Sequence, residues 1–392
     1  MRRIVLALAC SMRVAGAVAL ACFAVAGHAA EPIAQQAQAG AQNYLVLFSS
    51  SPTYKKGDQL IAGTVVELTR RTEKLVVLNP QGQPTTFTGP TKTPLGPVNG
   101  PVGGTMLTTI AQALTAGGPL ETVLGASRSG VPPGPLEKAW IVDLAHAKDV
   151  CVPPSGALYL TVDHDSRGRL EFAGTGGRVA VTWPASAERI AWPRQLALTD
   201  GGRLSAQTPP RPSSNLVLHI MPAGDASVGA RLQWLLQSGC GAQAAGLIDG
   251  LAGAPTGAIS VRSATGEPTL AVGAGGAPLD FTVFVNRAGY LTCLYRAPGT
   301  IAKAFPSGDA PGAVSAALPQ RVPALGQTPL QLMPRNQPGT DSVLCVVADA
   351  PGAQWLPPPL RGGGQPMPFG DTESLVLPPT AVRADMMIEA RP

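Results

Sequence analysis

Lys74-Leu75-Val76-Val77-Leu78-Asn79-Pro80-Gln81-Gly82-Gln83-Pro84-Thr85-Thr86-Phe87-Thr88 is the stretch on which the reading of the fold turns. An apolar, β-branched run meets four turn residues and then a second β-branched run. Asn at the first turn position, Pro at the second and Gly at the fourth is the chemistry of a type I turn. Val, Thr and Phe suit a pleated, half-buried surface. The stretch therefore predicts a β-hairpin. Further short runs of the same kind flank it at Tyr44–Phe48 and Thr64–Leu68, and the block closes at Gly89-Pro90.

Composition carries this outward to the whole chain. Among 392 residues there are 46 Gly and 40 Pro, and only 14% are charged while 45% are hydrophobic. An ordinary soluble domain carries roughly 25% charged residues. Long surface helices laced with ion pairs, and coiled coils, are excluded. Short strands joined by Gly/Pro turns fit better. The expected fold is mostly β: two or three small β-sandwich- or barrel-like domains with one helical hairpin insertion.

Residues 30–43 are Ala/Gln-rich without a period and read as a flexible N-terminus. Residues 44–128 read as a small β domain with a short helix, capped by Thr105 and carrying Met106, Leu107, Ile110 and Leu114 on one face. Residues 138–256 read as a sandwich-like domain, with strands at Trp140–Leu144, Leu158–Val162, Leu170–Phe172, Arg178–Trp183, Arg189–Trp192 and Leu216–Ile220. Inside it, 224–252 is the helical hairpin: Val228, Leu232, Leu235 and Leu236 keep one face, Gly239 breaks, and Leu247, Ile248 and Leu251 continue. Residues 258–392 read as a C-terminal β domain, with weak strands at Ser374–Leu377 and Met386–Ile388 and a loop at Pro351–Met367.

Charge and the amino terminus point to export. Met1-Arg2-Arg3 precedes an apolar run, Ile4 to Ala26, which closes at Gly27-His28-Ala29-Ala30. A basic start, an apolar centre and small residues at a cleavage point make a secretory signal peptide over 1–29. Cleavage after Ala26, a membrane anchor over Ile4–Ala26 and lipidation at Cys22 are the competing readings. The formal charge of +5 includes Arg2, Arg3 and Arg13, so the body carries +2. That is no footprint for nucleic acid, and no later run is long enough to span a membrane.

With Cys10 and Cys22 in the leader, four cysteines remain: Cys151, Cys240, Cys293 and Cys345. An even number in an exported chain favours disulfides, with three connectivities open. Cys151–Cys240 and Cys293–Cys345 are preferred, because each pair stays within one expected domain. Four buried thiols are the alternative.

The usual catalytic patterns are missing: no Gly-Lys of a P-loop, no Gly-x-Ser-x-Gly, no Ser-x-x-Lys and no His-Glu-x-x-His. Asp163-His164-Asp165 is the only cluster of ligand types, read as a solvated turn before half a metal site. His219 sits in an apolar strand and is expected to pack there. Cys240 and Cys293 are nucleophile candidates by residue type alone. Trp183-Pro184 and Trp192-Pro193 repeat nine residues apart, as two core tryptophans or as an aromatic platform.

Leu279 to about Ala350 resembles a bacterial family known as domain of unknown function 4384. Asp280-Phe281-Thr282-Val283-Phe284-Val285 looks like its opening strand. Gly289-Tyr290-Leu291 with Leu294-Tyr295, then Phe305-Pro306, Leu318-Pro319 and Pro338-Gly339-Thr340 before Val343–Val347, follow in the family's order. Ser307 stands where the family has Asn, and Pro311–Pro323 is unusually rich in Ala and Pro. The resemblance implies an envelope or signalling module and carries over no catalytic residue. Residues 44–90 also resemble the small β domains of FecR-type envelope regulators. Tyr290, Tyr295 and Phe305 are the candidate contact aromatics, with alternation placing the two tyrosines on opposite faces. The expectation is an exported, non-catalytic binding or adaptor protein of the bacterial envelope with no cofactor or metal, whose partner is another envelope protein. The alternatives are an envelope-stress or secretion regulator and a hydrolase of envelope polymers.

Overall fold

The computed structural model describes residues 43–98, 104–116, 134–163, 166–174, 177–207, 213–224, 227–255, 257–273, 275–307, 311–332, 341–361, 366–368 and 375–390. The signal peptide expected over 1–29, residues 30–42, His164-Asp165 and Pro338-Gly339-Thr340 lie outside them.

The hairpin forms as its turn chemistry requires. Lys74–Leu78 pairs antiparallel with Pro84–Thr88, Leu78 opposite Pro84. Gly82 N donates to Asn79 O at 2.9 Å, and Asn79 Oδ1 accepts from Gln81 N and Gln83 N at 3.0 and 2.9 Å. Gly82 is needed twice. Its φ is +76°, and a Cβ there would stand 2.3 Å from Ser227 Oγ. The hairpin joins a four-stranded sheet in the order Gln59–Ile61, Asn43–Ser49, Lys74–Leu78, Pro84–Thr88. Leu45, Leu47, Val76 and Leu78 face the main core, while Tyr44, Val46, Leu75 and Val77 meet Val66, Leu68 and Leu95. Burial on both faces explains why these strands read as apolar runs without alternation.

The chain is mostly β, in several small sheets with few helices, and none of the sheets among the described residues closes into a barrel. Helix α1 (Gly104–Thr115) buries Met106, Leu107 and Ile110. The helical hairpin is present as α2 (Val228–Gln237) and α3 (Gly241–Gly253). Ser227 Oγ caps α2 by accepting from Ala230 N. Gly239, at φ +78°, turns the chain between the two. Helix α3 lies against a 3₁₀ turn, Pro135–Trp140, so closely that a Cβ on Gly246 would come within 2.7 Å of Ala139 N. Trp140, expected to open a strand, instead closes that turn. The strand is Ile141–Asp143, because Pro135 pre-sets helical φ at the turn's start.

A five-stranded sheet runs Gly177–Thr182, Arg169–Gly174, Arg203–Gln207, Ser214–Ile220, Asp149–Val152, the last pair parallel. Leu170, Phe172, Ala206, Leu216 and Leu218 point into the main core with Trp140, Trp183 and Trp192. The last strand is an edge, and a side chain covers it. Buried Gln243 of α3 accepts from Cys151 N at 2.8 Å and donates to Cys151 O at 2.8 Å and Ala139 O at 3.1 Å. Gln243→Ala leaves three backbone groups unpaired and is expected to cost about 3 kcal/mol in urea unfolding. A loss below about 1 kcal/mol would remove this edge-capping role.

Beyond α3, two sheets face each other. Ile259–Ser263, Phe281–Val285 and Gln320–Val322 form one. The other runs Thr269–Val272, Val382–Ala390, Asp341–Ala348, Gly289–Ala297, Thr300–Phe305, Met367–Pro368. Phe281, Val283, Val285, Leu291, Val343, Val347 and Met386 pack between them. The far face of the larger sheet is covered too. Leu356 and Leu360 pack on Leu294 and Ile301. They belong to a segment expected to be loop, which forms two short helices, α4 (Gly352–Trp355) and α5 (Pro358–Arg361). Met386–Ile388, expected to be weak, lies inside a nine-residue strand.

Candidate functional site

The four cysteines pair as preferred, Cys151 with Cys240 and Cys293 with Cys345, at Cα separations of 6.1 and 4.1 Å. The first bridge joins the Gln243-capped edge strand to the residue before α3. The second joins directly opposite positions of neighbouring strands. With their sulfurs so bonded, neither Cys240 nor Cys293 offers a thiolate nucleophile.

The other singled-out residues separate. His164 and Asp165 lie outside the described residues, and among those described no group of three His, Cys, Asp or Glu is placed for a metal. His219 does not pack in the core as expected. Strand alternation turns it to the outer face of the five-stranded sheet, where Nε2 meets Asp149 Oδ1 at 2.8 Å, both half-exposed. Trp183 and Trp192 form no platform, because both are buried. Each indole donates to a carbonyl four residues on: Trp183 Nε1 to Ala187 O at 2.8 Å and Trp192 Nε1 to Leu196 O at 3.5 Å. The repeat is one local turn used twice, which seats two tryptophans in one core.

Of the buried carboxylates, Asp280 and Glu137 are each held by two arginines. Asp280, before the strand Phe281–Val285, is 6% exposed. Arg194 donates to it through Nε and Nη2 at 2.8 and 2.9 Å, and Arg321 through Nε and Nη2 at 3.1 and 2.8 Å. Arg194 continues to the carbonyls of Pro323 and Ala324, and Arg321 to that of Trp192. Glu137, in the 3₁₀ turn, faces Arg189 Nη1 at 2.9 Å and Arg262 Nε at 2.5 Å. Arg189 also stands over the ring of Tyr159, whose hydroxyl donates to Ser263 O at 2.7 Å. Burial pushes the Tyr159 phenol well above its usual range.

For Asp280, burial pushes the carboxyl up, but the hydrogen bonds and charges of Arg194 and Arg321 outweigh it and hold the pKa below the ordinary value. A depressed carboxyl contributes stability above its unfolded pKa, about 3.9, and loses it as pH falls through the folded value. The stability gap between the wild type and Asp280→Asn is therefore expected to narrow below about pH 4. A gap that is constant from neutral to strongly acid pH would contradict this.

Elsewhere on the molecule a cleft of about 250 Å³ opens. One wall comes from Pro154-Ser155 and Ala223-Gly224. The other comes from the two-residue strand Ala313–Val314 and the following Ser315. Between the lining residues Ser315 and Leu318, Ala317, a non-glycine residue at φ +61°, is held by its N–H to Val285 O at 2.7 Å and by Trp140 Nε1 to its own carbonyl. Arg231 donates to Ala316 O beside it. A left-handed alanine persists only where its surroundings over-determine it, and such positions cluster at ligand clamps.

The short strand Ala313–Val314 pairs with Gly289–Tyr290 and, among the described residues, with no other strand. Because Leu291 N donates to Gly312 O at 2.8 Å, Tyr290 and Ala313 form the non-bonded type of antiparallel pair. The N–H and C=O of Ala313 therefore point away from Gly289–Ala297. Tyr290 borders this strand, and Pro306 lies against Gly312, where a Cβ would approach Pro306 Cγ to 3.2 Å. The structure thus brings Tyr290 and Phe305-Pro306 to one end of the sheet beside the cleft. Tyr295 sits further along the same strand, with its hydroxyl on Asp341. All three aromatics are half-buried. The cleft walls at 154–155 and 223–224 carried no sequence signal. The Ala/Pro-rich stretch 311–323 was the one visible pointer. No family model matches the chain, and no curated protein matches it.

Proposed function

We propose that the chain is an exported, non-catalytic binding or adaptor protein of the bacterial cell envelope. It holds an extended segment of another envelope protein along the open edge of Ala313–Val314. The observation that carries this is the outward-facing N–H and C=O of Ala313 on a wall of the cleft. Such an edge accepts one more strand, whose main chain supplies affinity while side chains read the walls. Two disulfides suit an oxidising compartment, in keeping with the export signal read over 1–29. No helix among the described residues is long and apolar enough to cross a membrane. The half-buried Tyr290 and Phe305 supply the flank that the resemblance to domain of unknown function 4384 emphasises.

The test uses Ala313→Pro, which deletes the outward N–H without removing a ladder bond. Tagged wild type and variant are crosslinked in cells, and the captured envelope proteins are quantified. One dominant partner is expected with the wild type, reduced at least tenfold with Ala313→Pro at an unchanged melting temperature. Equal capture by both would exclude this edge as the binding site.

A further inference from the structure

The outer face of the five-stranded sheet is covered over Asp149–Val152 by the Cys151–Cys240 bridge and is open over Gly177–Thr182, Arg169–Gly174 and Arg203–Gln207. Val179, Val181 and Leu204 turn inward to the core. Strand alternation therefore sends Arg178, Ala180, Ala173, Ser205 and Arg203 outward. Register places them. Arg178 lies opposite Ala173, Ala173 lies opposite Ser205, and Arg203 is two residues from Ser205. The two arginines thus sit on strands flanking Arg169–Gly174, about 12 Å apart at Cα given ordinary strand spacing and rise. Both are exposed, and among the described residues neither takes an ion pair. The other ionisable side chains named on this face already have partners. Arg169 Nε pairs with Glu171 Oε1 at 2.8 Å, and His219 with Asp149. Between the free guanidinium groups lie small side chains, so nothing rises above the floor that joins them.

We infer that this face binds an acidic polysaccharide, with Arg178 and Arg203 each taking one sugar carboxylate by a planar, two-bond contact. The guanidinium fork matches a carboxylate in geometry and charge. A protein partner would need aromatic or large apolar anchors, and a single nucleic-acid strand would need stacking rings. The outward positions of this face carry neither. The inference goes beyond the cleft reading and shares no residue with it.

The experiment titrates the full mature chain with an oligogalacturonate of defined length at low salt. A neutral maltooligosaccharide of equal length and polyglutamate serve as comparison probes. The expected result is saturable, salt-sensitive binding of the oligogalacturonate alone. Arg178→Gln/Arg203→Gln is expected to weaken it at least tenfold, each single variant about threefold, and Lys56→Gln, on a different sheet's loop, not at all. Because the two sites are separate, the double arginine variant is also expected to keep partner capture at Ala313, so failure of one reading is distinguishable from failure of the other. Absent binding, binding untouched by the double variant, equal binding of the neutral sugar, or polyglutamate binding lost in the same variant would each overturn the inference.

Discussion

Asp280→Ala is expected to destabilise the protein by about 3–5 kcal/mol, the usual consequence of removing one partner from a buried ion cluster. The reason lies in what remains. Arg321, 2% exposed, and the half-buried Arg194 keep their charges in a site that water barely reaches. The cluster also holds together segments distant in sequence. Arg194 follows the strand Arg189–Ala191, Asp280 precedes Phe281–Val285, and Arg321 lies within Gln320–Val322. Denaturant unfolding measures the loss. Replacing all three residues by apolar ones of similar size is expected to recover most of it, because the penalty is an unpaired charge and not a missing attraction. A single Asp280→Ala variant as stable as the wild type would show that water enters the cluster and screens it.

The second large effect concerns the bridges. Closing a loop between residues 89 apart, Cys151 to Cys240, or 52 apart, Cys293 to Cys345, removes unfolded-state entropy equivalent to about 4–5 kcal/mol each in the chain-entropy model. Cys151→Ala/Cys240→Ala is expected to approach that loss. Its bridge also holds the strand that Gln243 caps, so the pair and Gln243 should be coupled: the triple variant should lose less than the sum of the separate losses. A double variant within about 1 kcal/mol of the wild type would mean that the first bridge constrains a denatured chain already compact there.

Local chemistry was legible in the sequence, and long-range pairing was not. The hairpin at 74–88 was readable because its turn lies within four residues. The α2–α3 hairpin was readable because Gly239 interrupts a clean helical period. The cysteine pairing followed from keeping each bridge inside one stretch of chain. Asp149–Val152 was missed because its partners, His219 across a parallel ladder and Gln243 on a helix, are distant in sequence. Arg203–Gln207 was missed because its outward Arg, Ser and Gln dilute the apolar alternation. At the site, Tyr290 and Phe305 were visible as scarce aromatics. The cleft beside them depends on walls from three separate regions, and Asp280 read only as the start of a strand. Its arginines come from positions 194 and 321, which no local pattern connects.

Every role proposed for this chain begins with its leaving the cytoplasm and closing both bridges. The most direct test is the intact mass, without reductant, of the protein recovered from the exported fraction of cells. The expected result is a chain that starts near Ala30 and is lighter by two hydrogen atoms for each of two disulfides. A chain retained in the cytoplasm with residues 1–29 attached and four free thiols at Cys151, Cys240, Cys293 and Cys345 would contradict it.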